Sequence, residues 1–366
     1  MNTIQFGKTP YRVNRLGFGA MRLPRLPDGK VDFELSTPLI RYAVEHGVNF
    51  IDSHHFYHNG ESEEAIGKAV KGIPRDKFIL QTKIGMYNNY KEKDCLRLLE
   101  QALKKFGTDY IDFYFTHSLN MKDYRKYNKL FLRFTEKAKN EGLIRYRGFS
   151  AHDSTENVKK FINSGEFSAM LLQYNILNRE NEEVLALARE KGLGVEVMGP
   201  VAGGMLGFPD EKILKYSPVK VKSAAELALK FVLSNTNVHA AFSGMSTMEQ
   251  LKENIATVSD EALFSPDDIK RLDRVFEDRK KLLDLYCTGC RYCLPCPNKV
   301  NIPRIFHLYN LSEVYGLTEK AKKDYLALNP EEKASACLGC GECEKKCPQK
   351  IPIRKKLKEI SSYFKK

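Results

Sequence analysis

The sequence predicts an α/β chain in which a (β/α)8 TIM barrel is followed by a small, mainly α-helical module. Three observations carry this prediction. Eight short β-branched or aromatic runs alternate with helical periodicities between residues 13 and 285, the signature of repeated βα units and a parallel sheet. Eight of the nine cysteines fall at or after residue 287, and three of them recur at an offset of 50. The 366 residues suit one barrel-sized domain, 1–285, and one appendage, 286–366.

The opening segment TIQFGKTPYRV sets Gly7 and Pro10 between short extended runs and reads as a hairpin closing the barrel's bottom. The strand candidates are NRLGFGA, NFID, FILQTK, YIDFYF, IRYRGFS, SAMLLQ, GVEVM and HAAFSG. Helices are expected at 35–47, 61–71, 91–106, 128–141, 154–163, 181–191, 223–234 and 247–257. A further helix, SPDDIKRLDRVFEDRKKLLDLY, opens with Ser265 as N-cap and Pro266 in the first position. Barrels carry their chemistry at the C-terminal face, so the residues just after each strand are the candidates. The polar, Tyr-rich loops IGMYNNY and SLNMKDYRKY, with the long stretch 199–222, are expected to form a substrate rim.

The formal charge is +13, and its distribution matters more than its size. From Cys287 onward there are 16 Lys and Arg against 8 Asp and Glu, which leaves 43 against 38 upstream. The excess sits with the cysteines, where each thiolate-bound 4Fe-4S cluster would add about two negative charges. No aromatic-interleaved basic patch supports nucleic-acid binding. The N-terminus has no apolar leader-like run, and the apolar stretch AELALKFVL is broken by Lys230, so a soluble, cytoplasmic protein without a membrane segment is expected. Cys95 stands alone in an amphipathic helix pattern and reads as a structural bystander.

Three strand ends carry four ionisable groups: Asp52 and, just after it, Tyr57 in NFIDSHHFYHNGESEEAIGKA, Lys83 in ILQTKIG and His117 in IDFYFTHSL. In this order they resemble the catalytic tetrad of the aldo-keto reductases. The resemblance runs from about Arg15 to Leu283 and includes the Asp52–Gly67 stretch, IRYRGFS, LLQYN, GPVAGGML and SGMSTMEQLKENI. It implies an NAD(P)-dependent interconversion of a carbonyl and an alcohol. Negative charge develops on the carbonyl oxygen during hydride transfer, so a proton donor and a positive field must converge there. Tyr57 would be the acid, Lys83 oriented by Asp52 would stabilise its phenolate, and His117 would align the carbonyl oxygen.

The same resemblance places the cofactor against Ser150, Gln173, Met198, Gly199, Gly203, Gly204, Gly244, Ser246, Gln250 and Asn254. Three departures from the family pattern stand out. Ala151 replaces the amide that usually follows Ser150, Met198 stands where an aromatic commonly stacks on the nicotinamide, and Gln250 stands where a basic residue often reads a 2′-phosphate. NADP and NAD both stay open. His54, His55 and His58 flank Tyr57 at a spacing that does not suit a metal, and a pocket-lining role is expected for His55 or His58.

The run CLGCGECEKKCPQKIPIRK has the CxxCxxCxxxCP spacing of bacterial two-cluster ferredoxins, and CTGCRYCLPCPNKVNIPR matches it with one residue fewer before its last cysteine. Zinc is the structural alternative. The ferredoxin pattern implies crossed ligand sets: Cys287, Cys290, Cys293 and Cys347 on one 4Fe-4S cluster, and Cys337, Cys340, Cys343 and Cys296 on a second. Clusters pass single electrons whereas nicotinamides pass two, so a redox partner protein, or a flavin for which no motif is visible, is the companion reading. The runner-up function is accordingly an iron-sulfur electron-transfer protein whose barrel binds a flavin or partner.

Overall fold

The computed structural model describes residues 3–204, 206, 214, 217, 220–260, 262–277, 287, 289–313 and 318–364, without the side chains of 87, 275–277 and 320. The chain divides into two compact units, Met1–Pro200 with Glu226–Ser265, and Val201–Ala225 with Pro266–Lys366.

A hairpin opens the chain, β1 (Thr3–Gln5) pairing antiparallel with β2 (Arg12–Asn14). Eight parallel strands follow: β3 (Leu16–Gly19), β4 (Phe50–Asp52), β5 (Ile79–Ile84), β6 (Ile111–Leu119), β7 (Ile144–Ala151), β8 (Ala169–Gln173), β9 (Gly194–Met198) and β10 (Ala240–Ser243). They close into a barrel when β10 pairs with both β9 and β3. Such strands are covered on both sides, and all six residues of β5 are buried accordingly.

The hairpin plugs the bottom as the sequence predicts. Phe6 meets Phe50 and Phe113 edge-on at 5.3 and 5.2 Å. Gly194 makes room for that ring, since a Cβ there would lie 2.3 Å from it. Buried Asp112 ties the plug to the wall, accepting from Tyr11 Oη at 2.6 Å, Arg75 Nη2 at 2.5 Å and Leu80 N at 2.8 Å.

Helices α1 (Phe33–Glu45), α2 (Glu61–Val70), α3 (Glu92–Phe106), α4 (Met121–Asn140), α5 (Thr155–Asn163), α6 (Glu182–Lys191), α7 (Ala224–Ser234) and α8 (Met248–Ser259) alternate with the strands. One differs from expectation. SLNMKDYRKY is not a rim loop, because α4 starts at Met121 and not at 128. The Asn120 side chain caps it by accepting from Asp123 N at 3.0 Å, and Tyr127, Phe131, Phe134 and Ala138 supply a buried face that the polar first turns conceal. The stretch 207–213 and most of 214–219, expected as part of the rim, lie outside the described residues, as do 278–286 of the helix that opens α9 (Pro266–Glu277).

The second unit is helical, with α10 (Ile302–Glu313), α11 (Thr318–Leu326), α12 (Glu342–Lys346) and α13 (Ile353–Tyr363). Ile305, Phe306, Leu308, Leu357 and Ile360 form its core, against which six of the cysteines pack. Asn301 joins its two halves, donating to Glu332 O from N at 3.0 Å and to Glu332 Oε1 from Nδ2 at 3.1 Å. No helix among the described residues is long and apolar enough to cross a membrane.

Candidate active site and cysteine centres

Asp52 ends β4, and Lys83 lies near the end of β5, both on the interior at the C-terminal face. Side chains alternate along a strand, so Lys83 shares its face with Gln81. Lys83 is 1 % exposed; its Nζ pairs with Asp52 Oδ1 and donates to Ser53 O at 2.8 Å. The same ammonium lies 5.4 Å from the centroid of the Tyr57 ring. The Tyr57 and His117 rings stand 6.4 Å apart at 87°, with the His54 ring between them, 5.2 Å from Tyr57 and 4.1 Å from His117. The four tetrad residues therefore converge. Tyr57 is delivered by a turn whose next three residues, His58, Asn59 and Gly60, all have left-handed φ of 52°, 56° and 89°. Two of them carry side chains, at a cost of about 1 kcal/mol each. Gly60 fits the third position because its φ of 89° is one that residues with a side chain rarely adopt.

Burial sets the electrostatics. It pushes the Asp52 carboxyl upward, while the Lys83 ammonium and the Gln81 amide pull it down. It holds His117 well below the usual imidazole range, helped by the charges of Lys83, His152 and His55. His54 is held well below it too, by burial and then by His117, and His58 is lowered to about 4 by burial and then by Arg25. His54 Nδ1 accepts from Phe56 N at 3.0 Å, which puts the proton of its neutral ring on Nε2. His54, His55, His58 and His117 are thus each biased toward the neutral ring. A neutral His117 donates or accepts a hydrogen bond but has no spare proton to give as an acid.

The strand-end residues expected against the cofactor fall on three strands and the last loop. Ser150 lies near the end of β7, its Oγ accepting from Ser118 N at 3.1 Å; Gln173 ends β8 and Met198 ends β9, followed by Gly199 with φ 64°. Beyond β10 come Gly244, and then Ser246, whose Oγ donates to Arg22 O at 2.6 Å. Gln250 turns back on this loop, its Oε1 accepting from Ser246 N at 2.8 Å, while Asn254 Nδ2 donates to Ser243 Oγ at 3.1 Å. Gly203 and Gly204, with φ of 67° and 96°, belong to the second unit.

In that second unit Cys287, Cys290, Cys293 and Cys347 line one cavity with Ile302, Phe306 and Ile351. Cys296, Cys337, Cys340 and Cys343 line another, which Cys293 also borders, with Val300 and Leu357. Cys293 is pushed up to about 12 by burial first, with Cys287, Cys290 and Cys347 adding, so Cys347 stands among the cysteines of the other run. Cysteines of both runs line each of the two cavities, which suits thiolate-ligated clusters, while no group of three or more such side chains among the described residues is set to hold a single metal ion.

Residues 15–277 match the aldo/keto reductase family, and 286–351 match a 4Fe-4S dicluster domain. The chain belongs to the aldo/keto reductase family. It is an oxidoreductase of that type with an iron-sulfur module. Among curated relatives, an NADH-specific methylglyoxal reductase of Escherichia coli is 26% identical over 71% of this chain and 94% of its own length. An L-galactose dehydrogenase of Arabidopsis thaliana is 26% identical over 69% and 87%. Among solved structures, an aldo-keto reductase from Bacillus halodurans in its holo form has a TM-score of 0.65 at 28% identity, covering 75% of this chain and 96% of that one. A nicotinamide cofactor fits this face: Gln173 presents a carboxamide at a strand end, and the N-terminus of α8 follows the loop after β10.

Two polar residues of the reductase's interior are absent from the sequence-based site. Gln81 and Glu196 read as unremarkable members of apolar strands. The available signal is alternation: Gln81 stands two before Lys83, and Glu196 two before Met198, so each shares an interior face with a candidate site residue.

Proposed function

We propose that this aldo/keto reductase interconverts a small carbonyl and its alcohol with NADH or NADPH, and that it carries two 4Fe-4S clusters. The observation that supports the first half most is the buried Lys83–Asp52 pair set beside the Tyr57 ring. The nicotinamide supplies or takes the hydride when bound. Tyr57 Oη gives its proton to the carbonyl oxygen, which a free phenol titrating near 10 does poorly at neutral pH. The adjacent Lys83 ammonium stabilises the phenolate left behind, and Asp52 keeps that ammonium in place. Neutral His117 donates a hydrogen bond to the oxygen and aligns it. The Escherichia coli relative's name supports a small carbonyl substrate.

For the cofactor we assign Ser150, Gln173, Met198, Gly199, Gly203, Gly204, Gly244, Ser246, Gln250 and Asn254. The barrel module spans 1–285 and the cluster module 286–366. Cys287, Cys290, Cys293 and Cys347 hold one cluster, and Cys337, Cys340, Cys343 and Cys296 the other. These clusters supply single electrons, which suits exchange with a redox partner protein rather than with the two-electron hydride step. The test is oxidation of NADH and NADPH by a panel of small aldehydes and ketones, using anaerobically purified protein analysed for iron and sulfide. Turnover with at least one carbonyl, and about eight irons per chain, are expected. No turnover with either cofactor across the panel would overturn the first half, and zinc in place of iron the second.

A further inference from the structure

Glu196 is fully buried at the middle of β9, and β9 and β5 stand on opposite sides of the eight-strand barrel, four strands apart either way round. Gln81 of β5 bridges that interior. Its Nε2 donates to Glu196 Oε2 at 2.7 Å and to Asp52 Oδ1 at 2.9 Å, which uses both protons of the amide. Two buried carboxyl groups thus share one neutral donor. The interior cation, Lys83, is committed to Asp52 and Ser53. From the flanking strands Glu196 faces Leu171 of β8 and Ala240 of β10 in register, neither of which offers charge. An ionised Glu196, with the Lys83 charge felt only at a distance and no cation paired to it, would be far costlier there than a protonated one.

A second observation agrees. Glu196 Oε1 and Gln81 Oε1 are both buried without a partner, two acceptors that no donor reaches. A negative charge on Glu196 would fall in part on an oxygen that no donor solvates. Burial also drives the Glu196 carboxyl well above the usual carboxylate range, with the Gln81 hydrogen bond opposing, the Asp52 charge reinforcing and the more distant Lys83 charge opposing least.

We propose that Glu196 is a positioning residue: an uncharged carboxylic acid that fixes the Gln81 amide across the barrel, so that Gln81 holds the Asp52 carboxylate on Lys83. Its functional part rests on the tetrad reading above. Glu196 does not pass protons to Tyr57, because the group between it and Asp52 is an amide, which gives and takes protons poorly. Its action is to orient.

The test uses the full anaerobic chain and three variants. Infrared spectra at neutral pH are expected to show the carbonyl stretch of a protonated carboxylic acid that Glu196→Gln removes and Asp52→Asn retains. Glu196→Leu leaves the Gln81 donor unmatched, so kcat for carbonyl reduction should fall about tenfold, the scale of one lost hydrogen bond, with KM little changed. Glu196→Gln should recover most of that loss. The tyrosine titration isolated by subtracting the Tyr57→Phe spectrum should move up in Glu196→Leu and return in Glu196→Gln, whether or not a carbonyl substrate is in hand. An infrared band that survives Glu196→Gln, or a Glu196→Gln enzyme as impaired as Glu196→Leu, overturns the proposal. Absence of turnover in the wild type, with the infrared and tyrosine results as expected, refutes the reading of function instead.

Discussion

In the barrel, buried polar groups answer one another. Lys83 sits on Asp52, Gln81 spans to Glu196, and Asp112 collects three donors. In the cysteine module the half-buried groups are alike: Cys287, Cys290, Cys293 and Cys347 line one cavity with Ile302, Phe306 and Ile351, and the other three raise the cost of ionising Cys293. The barrel's Lys83 and Asp52 offset each other's charge, whereas the cysteine cavities bring together like groups whose charges only a metal core would offset. The first site is therefore expected to survive treatments that the second does not.

The sharpest challenge to the barrel half is Lys83→Met. It strands the Asp52 carboxylate in the interior, so stability should fall by about 3–5 kcal/mol in denaturant titrations, as for a broken buried ion pair. Turnover of the molecules that stay folded should fall about 10³-fold. The matching challenge to the module is Cys347→Ser. Iron content should drop by about four per chain while carbonyl turnover stays near wild type. Iron unchanged by Cys347→Ser would break the crossed assignment, and lost turnover would tie the two halves together.

Acid separates the regions more gently. His54, His58 and His117 are held below the ordinary imidazole value, so below about pH 6.5 the unfolded chain takes up protons that the folded barrel refuses. Their stabilisation is intact above that pH and declines as acid approaches the folded value, about 4 for His58. The thermal midpoint should fall between neutral pH and about pH 5, and fall less in His58→Asn. A midpoint flat across that range would contradict the neutral assignment. The smallest expected effect concerns Gln250, whose amide caps its own loop. Gln250→Arg should shift the kcat/KM ratio toward NADPH by about tenfold, by adding a cation for the 2′-phosphate.

Much of this was legible in the sequence. The eight strands stood out because short, largely apolar runs alternate with helical periodicities, and the tetrad because its members lie at or just after the ends of three consecutive strands. The paired cysteine runs announced the second module. The beginning of α4 was hidden, because MKDYRKYN is polar and its buried face appears only when Tyr127 and Phe131 are seen on one side of a helix. The left-handed turn at His58 and Asn59 is marked in the sequence by the Asn59-Gly60 pair, but its reach back to His58 is not. The Gln81–Glu196 bridge depends on barrel closure, which brings residues 115 positions apart across the interior.

The central claim is that Tyr57 is the proton donor of a barrel whose chemistry does not need the clusters. The most direct measurement is NAD(P)H oxidation by a carbonyl substrate in anaerobically purified wild type and Tyr57→Phe, with visible cluster absorbance recorded on the same samples. The account predicts a loss of about 10³-fold or more in kcat with an unchanged visible spectrum. Turnover retained in Tyr57→Phe, or lost only in step with the cluster absorbance, would contradict it.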